Sequence, residues 1–481
     1  MKKNTLFLAF LFLFIMFGSR AQTLVPNGPK TGLRNALVGM ISEDENYIYY
    51  CDAFRDDDTY ITVYDKEKHA VVNEHEIDEE YLFKTAYVRD NNLVLIGYQY
   101  NKKTKSMDYF QSSFPVMERT PRKIVKTLIY SVPATSSKDV LAKVVLSPDR
   151  TKMAFVTYTC PADKKLKTYT IDVKVCSTDG DEVMKMQRKM KGPRPIGTST
   201  YLKNNATFFL IEQRETDQSL EDEFGVYIKD KYYNYRYITI SSDGEFAPMS
   251  KMEFQMDEPI EALTPNGDLR VFGKTPTGVS ILEINQTGEL SWKYDFETEF
   301  PKMPKGITYQ DYERDLTFIP IQILPLSDGR TIVSGTQYKL QFSDYTYYAL
   351  QSLILFLFDS NGEVTTQVLP FAKLAWSYHH LEYEYPLLEW DGDIWLIYNG
   401  DKANYGSNKA KQWKRPRKHE DWCTVMERID KDLNFTPAVL SLPPKNNAND
   451  EWFIGILNVS EDAVYYLKHQ SGGNRIEKIT K

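Results

Sequence analysis

The segment from Leu146 to Thr159, LSPDRTKMAFVTYT, places a short polar turn before a run of alternating apolar and polar residues. Ser147, Pro148 and Asp149 could form either a reactive site or the turn of a β-hairpin. Proline fixes one backbone dihedral and aspartate hydrogen-bonds to the nearby backbone, so this composition is typical of turns. Alternation with a period of two predicts a strand. We therefore interpret the segment as one β-hairpin, and the fold depends on how often this hairpin recurs.

The same layout, an apolar strand, a short polar turn and a second strand, recurs along the chain. Further copies begin at Leu37, Thr85, Ser199, Ile260, Ile321, Pro386 and Phe453, which makes eight with the first. Hairpins of a second type lie between them, as in YITISSDGEFAPMSKM from Tyr237. Units of four strands at spacings of about 40 to 65 residues are typical of β-propeller blades. Helical periodicity is almost absent beyond the N-terminal segment, so we predict an all-β fold.

The stretch Leu146–Phe155, LSPDRTKMAF, resembles the S-P-D-G-x-x-I-A-F repeat of periplasmic translocation propellers and peptidase propellers. Arg150 stands where that repeat has glycine, and only this copy matches, so no narrower family is implied. With the recurring hairpins, the chain resembles the β-propeller superfamily from residue 22 onward. The resemblance implies a ring of four-stranded blades. We expect eight blades, with seven as the alternative.

The last unit supplies only three predicted strands, Phe453–Val459, Ala463–His469 and Arg475–Thr480. An unpaired strand edge is prone to association with other chains. We therefore predict that the segment around Thr23–Val25 provides the fourth strand and closes the ring by pairing the N-terminal and C-terminal strands.

The N-terminus has the features of a secretory signal peptide. Two lysines precede an apolar run from Leu6 to Phe17, and small residues lead to Ala21. A run this short favours a cleaved signal over an uncleaved anchor, the alternative. We predict a signal peptide at residues 1–21 and a single β-propeller domain at residues 22–481. The expected product is exported to the periplasm or the cell exterior, has no membrane span and is a monomer.

The net charge bears on the class of partner, and the cysteine positions bear on disulfide, zinc and redox chemistry. The formal charge of −7 argues against nucleic acid as the partner. Cys160 and Cys176 would lie far apart along one hairpin, beyond the reach of a disulfide, so we lean towards free thiols. No C-x-x-C motif suggests zinc or redox chemistry among the four cysteines.

Extra loop length gathers at one end of the predicted ring. Three long loops, Arg214–Asn234, Lys339–Gln351 and Asp401–Trp422, and two long links, Glu297–Thr317 and Phe371–Glu384, all open there. Loops on a rigid scaffold are where binding residues usually concentrate. We therefore predict that this end is the binding face.

The candidate binding residues in these loops are aromatic, histidine or basic residues. They are Tyr232, Tyr233, Tyr345, Tyr347, Trp376, Tyr378, His379, His380, Lys411, Trp413, Arg415 and Arg417. Tyrosine and tryptophan suit interfaces and sugar stacking, but tyrosine also packs on propeller strands. The basic loop Asn408–Lys418 is either a solvated loop or a dock for an anionic group such as a sulfated or uronic glycan.

A metal site at His379 and His380 with Glu382 and Glu384 is disfavoured, because adjacent side chains on an extended segment point opposite ways. We expect neither a metal nor another cofactor. The sequence lacks G-x-S-x-G, H-E-x-x-H and G-x-x-x-x-G-K, which removes several enzyme classes.

Two hypotheses for function remain from the sequence, beside a purely structural envelope role. The first is a non-enzymatic exported propeller that binds a protein partner or a surface glycan through its long-loop face. The alternative is a carbohydrate-active enzyme, a glycosidase or polysaccharide lyase, with its site in the central pocket. Its catalytic residues are unknown, because carboxylates or a Tyr–His pair from separate blades leave no local motif.

Overall fold

The fold is built almost entirely from β-strands. The computed structural model describes residues 23–25, 30–31, 37–53, 59–77, 83–161, 168–214, 233–246, 253–275, 278–296, 317–342, 346–359, 363–370, 386–401, 422–430, 432–441, 452–459, 462–470 and 473–480. In these parts a 3₁₀ turn at Ser137–Asp139 is the one helical element, and no helix is long and apolar enough to cross a membrane. The predicted signal peptide at residues 1–21 lies outside them.

The first three sheets each contain four consecutive antiparallel strands. Two short strands, β1 (Thr23–Val25) and β2 (Lys30–Thr31), precede them and join the last sheet. Sheet 1 consists of β3 (Leu37–Glu43), β4 (Tyr47–Ala53), β5 (Thr59–Asp65) and β6 (Ala70–Ile77). Sheet 2 consists of β7 (Phe83–Arg89), β8 (Asn92–Asn101), β9 (Ser106–Pro115) and β10 (Thr127–Pro133). Sheet 3 consists of β11 (Val140–Leu146), β12 (Lys152–Thr159), β13 (Thr168–Ser177) and β14 (Glu182–Lys191).

The remaining strands form four more sheets, of which two have more than four strands. Sheet 4 has seven strands, β15 (Gly197–Leu202), β16 (Phe208–Arg214), β17 (Tyr233–Ile240), β18 (Glu253–Leu263), β19 (Leu269–Thr275), β20 (Gly278–Ile284) and β21 (Leu290–Phe296). Sheet 5 consists of β22 (Thr317–Pro325), β23 (Thr331–Phe342), β24 (Thr346–Phe358) and β25 (Val364–Pro370). Sheet 6 consists of β26 (Leu387–Trp390), β27 (Asp393–Asp401), β28 (Trp422–Ile429) and β29 (Phe435–Ser441). Sheet 7 consists of β30 (Trp452–Val459), β31 (Ala463–Gln470) and β32 (Gly473–Thr480), with β1 and β2 paired to β32.

The long strand β18 accounts for the difference between the expected and observed number of blades. Its first part, Glu253–Met256, pairs with β17, and its later part pairs with β19. One strand is thus shared by the fourth and fifth predicted units, which become a single sheet. The described strands therefore form seven separate sheets. The expectation of eight separate blades is not confirmed, and the count agrees with the alternative of seven.

The turn between β11 and β12 is structural. The Ser147 hydroxyl donates a hydrogen bond to Asp149 Oδ1 at 2.6 Å, and the same carboxylate accepts from the Thr151 amide and hydroxyl. Arg150 has φ of 57°, in the left-handed region that favours glycine, and it stands where the propeller repeat has glycine. Both features belong to a hairpin turn, as the sequence predicts.

Neighbouring sheets pack face to face in a closed ring, with apolar clusters between them. The last contact of the ring joins sheet 7 to sheet 1, where Tyr50 and Tyr64 pack with Tyr465. In sheet 7, β1 pairs with β32 and places Thr23 opposite Thr480. The predicted closure of the ring by the N-terminal and C-terminal strands is confirmed.

We call the end of the sheets at which β16 finishes and β17 begins the loop end. For four of the five predicted long connections, the flanking strands end and begin where the sequence predicts. For example, β16 ends at Arg214 and β17 begins at Tyr233. The fifth, Lys339–Gln351, was expected to be a loop, but β23 continues to Phe342 and β24 begins at Thr346. Aromatic residues favour extended pairing, so this segment lengthens a hairpin.

The two cysteines of sheet 3 lie towards opposite ends of their hairpin. Cys176 is a buried free thiol opposite Met153, whereas Cys160 follows the far end of β12. This is the separation that the sequence predicts.

Candidate binding site

The predicted binding residues fall mostly outside the described part of the chain. Tyr233 is the first residue of β17, and Tyr347 lies in β24 opposite Gln341. The other ten lie outside the described residues, namely Tyr232, Tyr345, Trp376, Tyr378, His379, His380, Lys411, Trp413, Arg415 and Arg417. A role for these residues in binding therefore stays a prediction.

The described residues at the loop end contain a buried charged cluster between sheets 3 and 4. Its centre is Glu212, which has no exposed surface although it carries a carboxylate. The Tyr169 hydroxyl donates to this carboxylate, with distances of 2.6 Å to Oε1 and 2.8 Å to Oε2. Arg236 Nε donates to Glu212 Oε2 at 2.8 Å, and its Nη2 contacts both Glu212 and the Tyr169 oxygen. The carboxylate is buried but paired, which is the condition under which burial of a charge is tolerated.

The strand register explains why these side chains meet. Glu212 lies directly opposite Arg236 in the β16–β17 ladder and opposite Thr198 in the β15–β16 ladder. Directly opposed residues in an antiparallel sheet project from the same face. This row therefore faces sheet 3, where β13 presents Tyr169.

Arg214, the last residue of β16, adds a second guanidinium group to the cluster. Its Nε lies 3.6 Å from Glu212 Oε2, and its Nη2 lies 3.4 Å from both the Tyr169 oxygen and the Pro193 carbonyl oxygen. Gly192, at φ of 106°, lies beneath this guanidinium, and a Cβ there would come within 3.4 Å of Nη2. We call Tyr169, Glu212, Arg214 and Arg236 the Glu212 cluster. It carries one carboxylate and two guanidinium groups, so its net charge is positive.

Several buried polar atoms beside the cluster have no hydrogen-bond partner within the structure. They are the hydroxyl oxygens of Tyr158, Thr198 and Thr200 and the Nε of Arg214. The rings of Tyr158 and Tyr169 stack with their centroids 6.2 Å apart. Buried polar atoms are normally satisfied in proteins, so each such atom calls for an explanation.

The two tyrosines remain neutral donors. Burial, and then the charge of Glu212, raise the pKa of Tyr158 and of Tyr169 well above the usual value. The site therefore offers guanidinium N–H groups and neutral hydroxyls around one fixed carboxylate. Guanidinium groups can form charge-assisted hydrogen bonds with anions, and hydroxyls can hydrogen-bond the hydroxyl groups of a ligand.

Sequence reasoning did not single out these residues except Arg214, as a loop boundary. A usable signal was present: Glu212 interrupts the apolar strand FFLIEQR, and Arg236 interrupts YNYRYITI. Charged residues in strands buried on both faces are expected only where they pair. Their pairing partner, however, depends on the register between strands that a long loop separates.

A protein-family model matches part of the chain. The model described as "Beta propeller domain" matches residues 39–154, from within β3 of sheet 1 through sheet 2 to the start of β12 in sheet 3. Together with the closed ring of antiparallel sheets, this match settles the fold. The chain is a β-propeller.

Solved structures with similar folds share little sequence with this β-propeller. A protein from Lactobacillus plantarum is 13% identical, with a TM-score of 0.36, over 81% of this chain and 93% of that chain. The polysaccharide lyase Uly1 is 11% identical, with a TM-score of 0.37, over 92% of this chain and 89% of that chain. Hydrazine synthase from Kuenenia stuttgartiensis is 12% identical, with a TM-score of 0.28, over 50% of this chain and 61% of that chain. No curated protein matches the chain in sequence. Likeness at this level concerns the fold and says nothing of activity.

Proposed function

We propose that this β-propeller is exported and acts as a binding protein for an anionic ligand at its loop end. The ligand is a surface glycan or the acidic patch of a protein partner. The observation that carries the proposal is the Glu212 cluster, in which two guanidinium groups flank one buried carboxylate. A binding role requires rigidly held, positively charged groups, and this cluster supplies both properties.

The two arginines of the cluster have different tasks. Arg236 contacts Glu212 and Tyr169 through its Nε and Nη2, so it fixes the geometry of the cluster. Arg214 is less tightly held: its Nε lies 3.6 Å from Glu212 Oε2, beyond normal hydrogen-bond length, and its side chain remains 17% exposed. A guanidinium with spare donors binds carboxylate, sulfate or phosphate oxygens through charge-assisted hydrogen bonds. Arg214 is therefore the residue that contacts the ligand's anionic group.

The unpartnered hydroxyls beside the cluster favour a saccharide among anionic ligands. Thr198 and Thr200, which are half-buried residues, each provide a hydroxyl that can donate and accept a hydrogen bond. A uronic or sulfated sugar presents an acidic group together with several hydroxyls, which matches this combination.

The chain segments next to the Glu212 cluster also favour a binding site at the loop end of the ring. Arg214 and Tyr233 bound the loop that was predicted from sequence to bind. Tyr232 and Tyr233 are therefore adjacent in sequence to the described strand ends that carry the cluster. Tyrosine rings provide stacking surfaces for sugars.

The test is a glycan array probed with the exported chain at low and high salt. We expect binding to uronic or sulfated glycans that weakens at high salt, because charge-assisted contacts at a partly exposed site are screened. Arg214→Gln should weaken this binding about tenfold, which corresponds to the loss of one charge-assisted hydrogen bond. Arg428→Gln, on the exposed surface of β28, is the matched control and should bind as the parent does.

Three outcomes of this experiment would contradict or change the proposal. Binding that Arg214→Gln leaves unchanged would move the site away from the Glu212 cluster. A blank array would remove glycans and leave an acidic protein partner, to be sought by cross-linking. Cleavage of a captured glycan would favour the alternative of a carbohydrate-active enzyme. Export is tested separately by N-terminal sequencing of the secreted chain, which should begin at Gln22.

A further inference from the structure

The outer edges of sheets 2 and 3 carry an unusual concentration of positive charge. From Arg119 to Lys138 the sequence has five lysines or arginines and no acidic residue, and from Val183 to Ile211 it has six and none. These stretches include β10 and β14, the outermost strands of their sheets. The exposed cations on them include Arg122, Lys123, Lys126, Lys185, Arg188 and Lys189. The chain as a whole has a net charge of −7, so this surface has the opposite sign.

Contacts between the two sheets join these strands into one surface. The Nζ of Lys174 and of Lys185 lie 5.4 and 5.7 Å from the ring centroid of Tyr130 in β10. Lysines of sheet 3 therefore extend over the outer strand of sheet 2. We call this surface, formed by residues 119–130 and 183–191, the basic rim.

Large apolar side chains are exposed among the cations of the basic rim. Val125 is 69% exposed and Leu128 is 61% exposed, which makes them the two most exposed of the large hydrophobic residues described. Val183, on β14, is 42% exposed. Single exposed apolar residues are ordinary, but apolar residues interspersed with cations on one rim indicate an interaction surface.

Acidic residues border the basic rim without neutralising it. Glu182 pairs with Lys174 at 3.6 Å, and Glu118 lies next to Arg119 in sequence. Within the described part of the chain, neither pairs with Lys123 or Lys189. These two lysines therefore keep their charge available to a partner.

We propose that the basic rim docks the protein peripherally on a lipid bilayer that carries anionic headgroups. Each lysine or arginine near such a surface contributes about 1 kcal/mol of attraction. Exposed apolar side chains add to this by entering the boundary between headgroups and acyl chains. A soluble polyanion would engage the cations but would gain nothing from Val125 and Leu128. The combination of both residue types is what favours a lipid surface, and the site is separate from the Glu212 cluster.

The test is co-sedimentation of the exported chain, starting at Gln22, with vesicles. One set contains phosphatidylglycerol in phosphatidylcholine, and the other contains phosphatidylcholine alone. We expect binding only to the first set, and weaker binding at high salt. Lys123→Glu with Lys126→Glu should reduce binding at least tenfold. Val125→Ser with Leu128→Ser, which leaves the charge unchanged, should reduce it several-fold.

The matched control reverses two exposed lysines away from the rim, Lys102→Glu with Lys103→Glu in the β8–β9 turn. This variant should bind vesicles as the parent does, and so should Arg214→Gln. Equal melting temperatures would establish that all variants fold. Absence of vesicle binding would overturn the proposal. The proposal would also be overturned, in favour of a polyanion site, by a combination of two results. Vesicle binding would be unchanged by the Val125 and Leu128 substitutions, and a soluble polyanion such as dextran sulfate would abolish it.

Discussion

Glu212 and Arg236 lie directly opposite each other on adjacent strands, and their side chains form a hydrogen-bonded ion pair that is closed off from solvent. Removing one partner of such a pair leaves an uncompensated buried charge. Glu212→Gln should therefore lower the free energy of unfolding by about 3 to 5 kcal/mol, measured by urea denaturation. Glu245→Gln, at an exposed turn of the same sheet, should change it by less than about 0.5 kcal/mol. The double variant Glu212→Leu with Arg236→Met should lose less than the sum of the single changes; simple additivity would contradict the pairing.

Closure of the ring gives a second prediction. β1 pairs with β32, whose Ile479 is buried in the core of sheet 7. Deletion of residues 22–28 would remove β1 and expose this strand edge. We expect the melting temperature, followed by circular dichroism, to fall by more than about 5 °C. Deletion of Gln22 alone, which precedes β1, should leave it unchanged. An equal melting temperature for both deletions would show that the pairing does not contribute to stability.

The sequence predicts the hairpins because they depend on local signals, and it predicts the closure because the last unit lacks a fourth strand. Strand alternation and turn residues such as Ser147 and Asp149 act over a few positions. The number of sheets depends instead on whether β18 continues from one unit into the next. The sequence around Asp257, where β18 changes its partner strand, contains no signal for that continuation. Predicting the Glu212 cluster would have required the register between β16 and β17, and 18 residues separate these two strands in sequence. Only the three-dimensional packing of sheet 3 on sheet 4 adds Tyr169 to it.

The structural role of the turn between β11 and β12 can be tested by replacing one side chain. Asp149 accepts hydrogen bonds from Ser147 and Thr151, and although burial opposes it, these bonds hold the pKa of its carboxyl below the usual value. Asp149→Ala should lower the free energy of unfolding by about 1 kcal/mol, because the carboxylate is exposed and each bond is modest. Asp243→Ala, in the corresponding turn after β17, removes an exposed aspartate and serves as the control. A loss of glycan binding without a loss of stability would revive the interpretation of Ser147 and Asp149 as a functional site.

The mostly buried carboxyl of Glu261 in β18 predicts a dependence of stability on pH. Burial raises its pKa from 4.5 to about 7, although the Tyr201 hydroxyl donates to it at 3.2 Å. Between these pH values the folded carboxyl keeps a proton that the unfolded chain releases, so rising pH favours unfolding. The contribution is fully present below about pH 4.5, and about 3 kcal/mol is lost by pH 7. Glu261→Gln cannot ionise, so its stability relative to the parent, measured by urea denaturation, should increase across this range. Tyr201→Phe keeps the titrating carboxyl and should retain the decline. A constant difference between Glu261→Gln and the parent at every pH would show that the pKa of Glu261 is the same in the folded and unfolded chain.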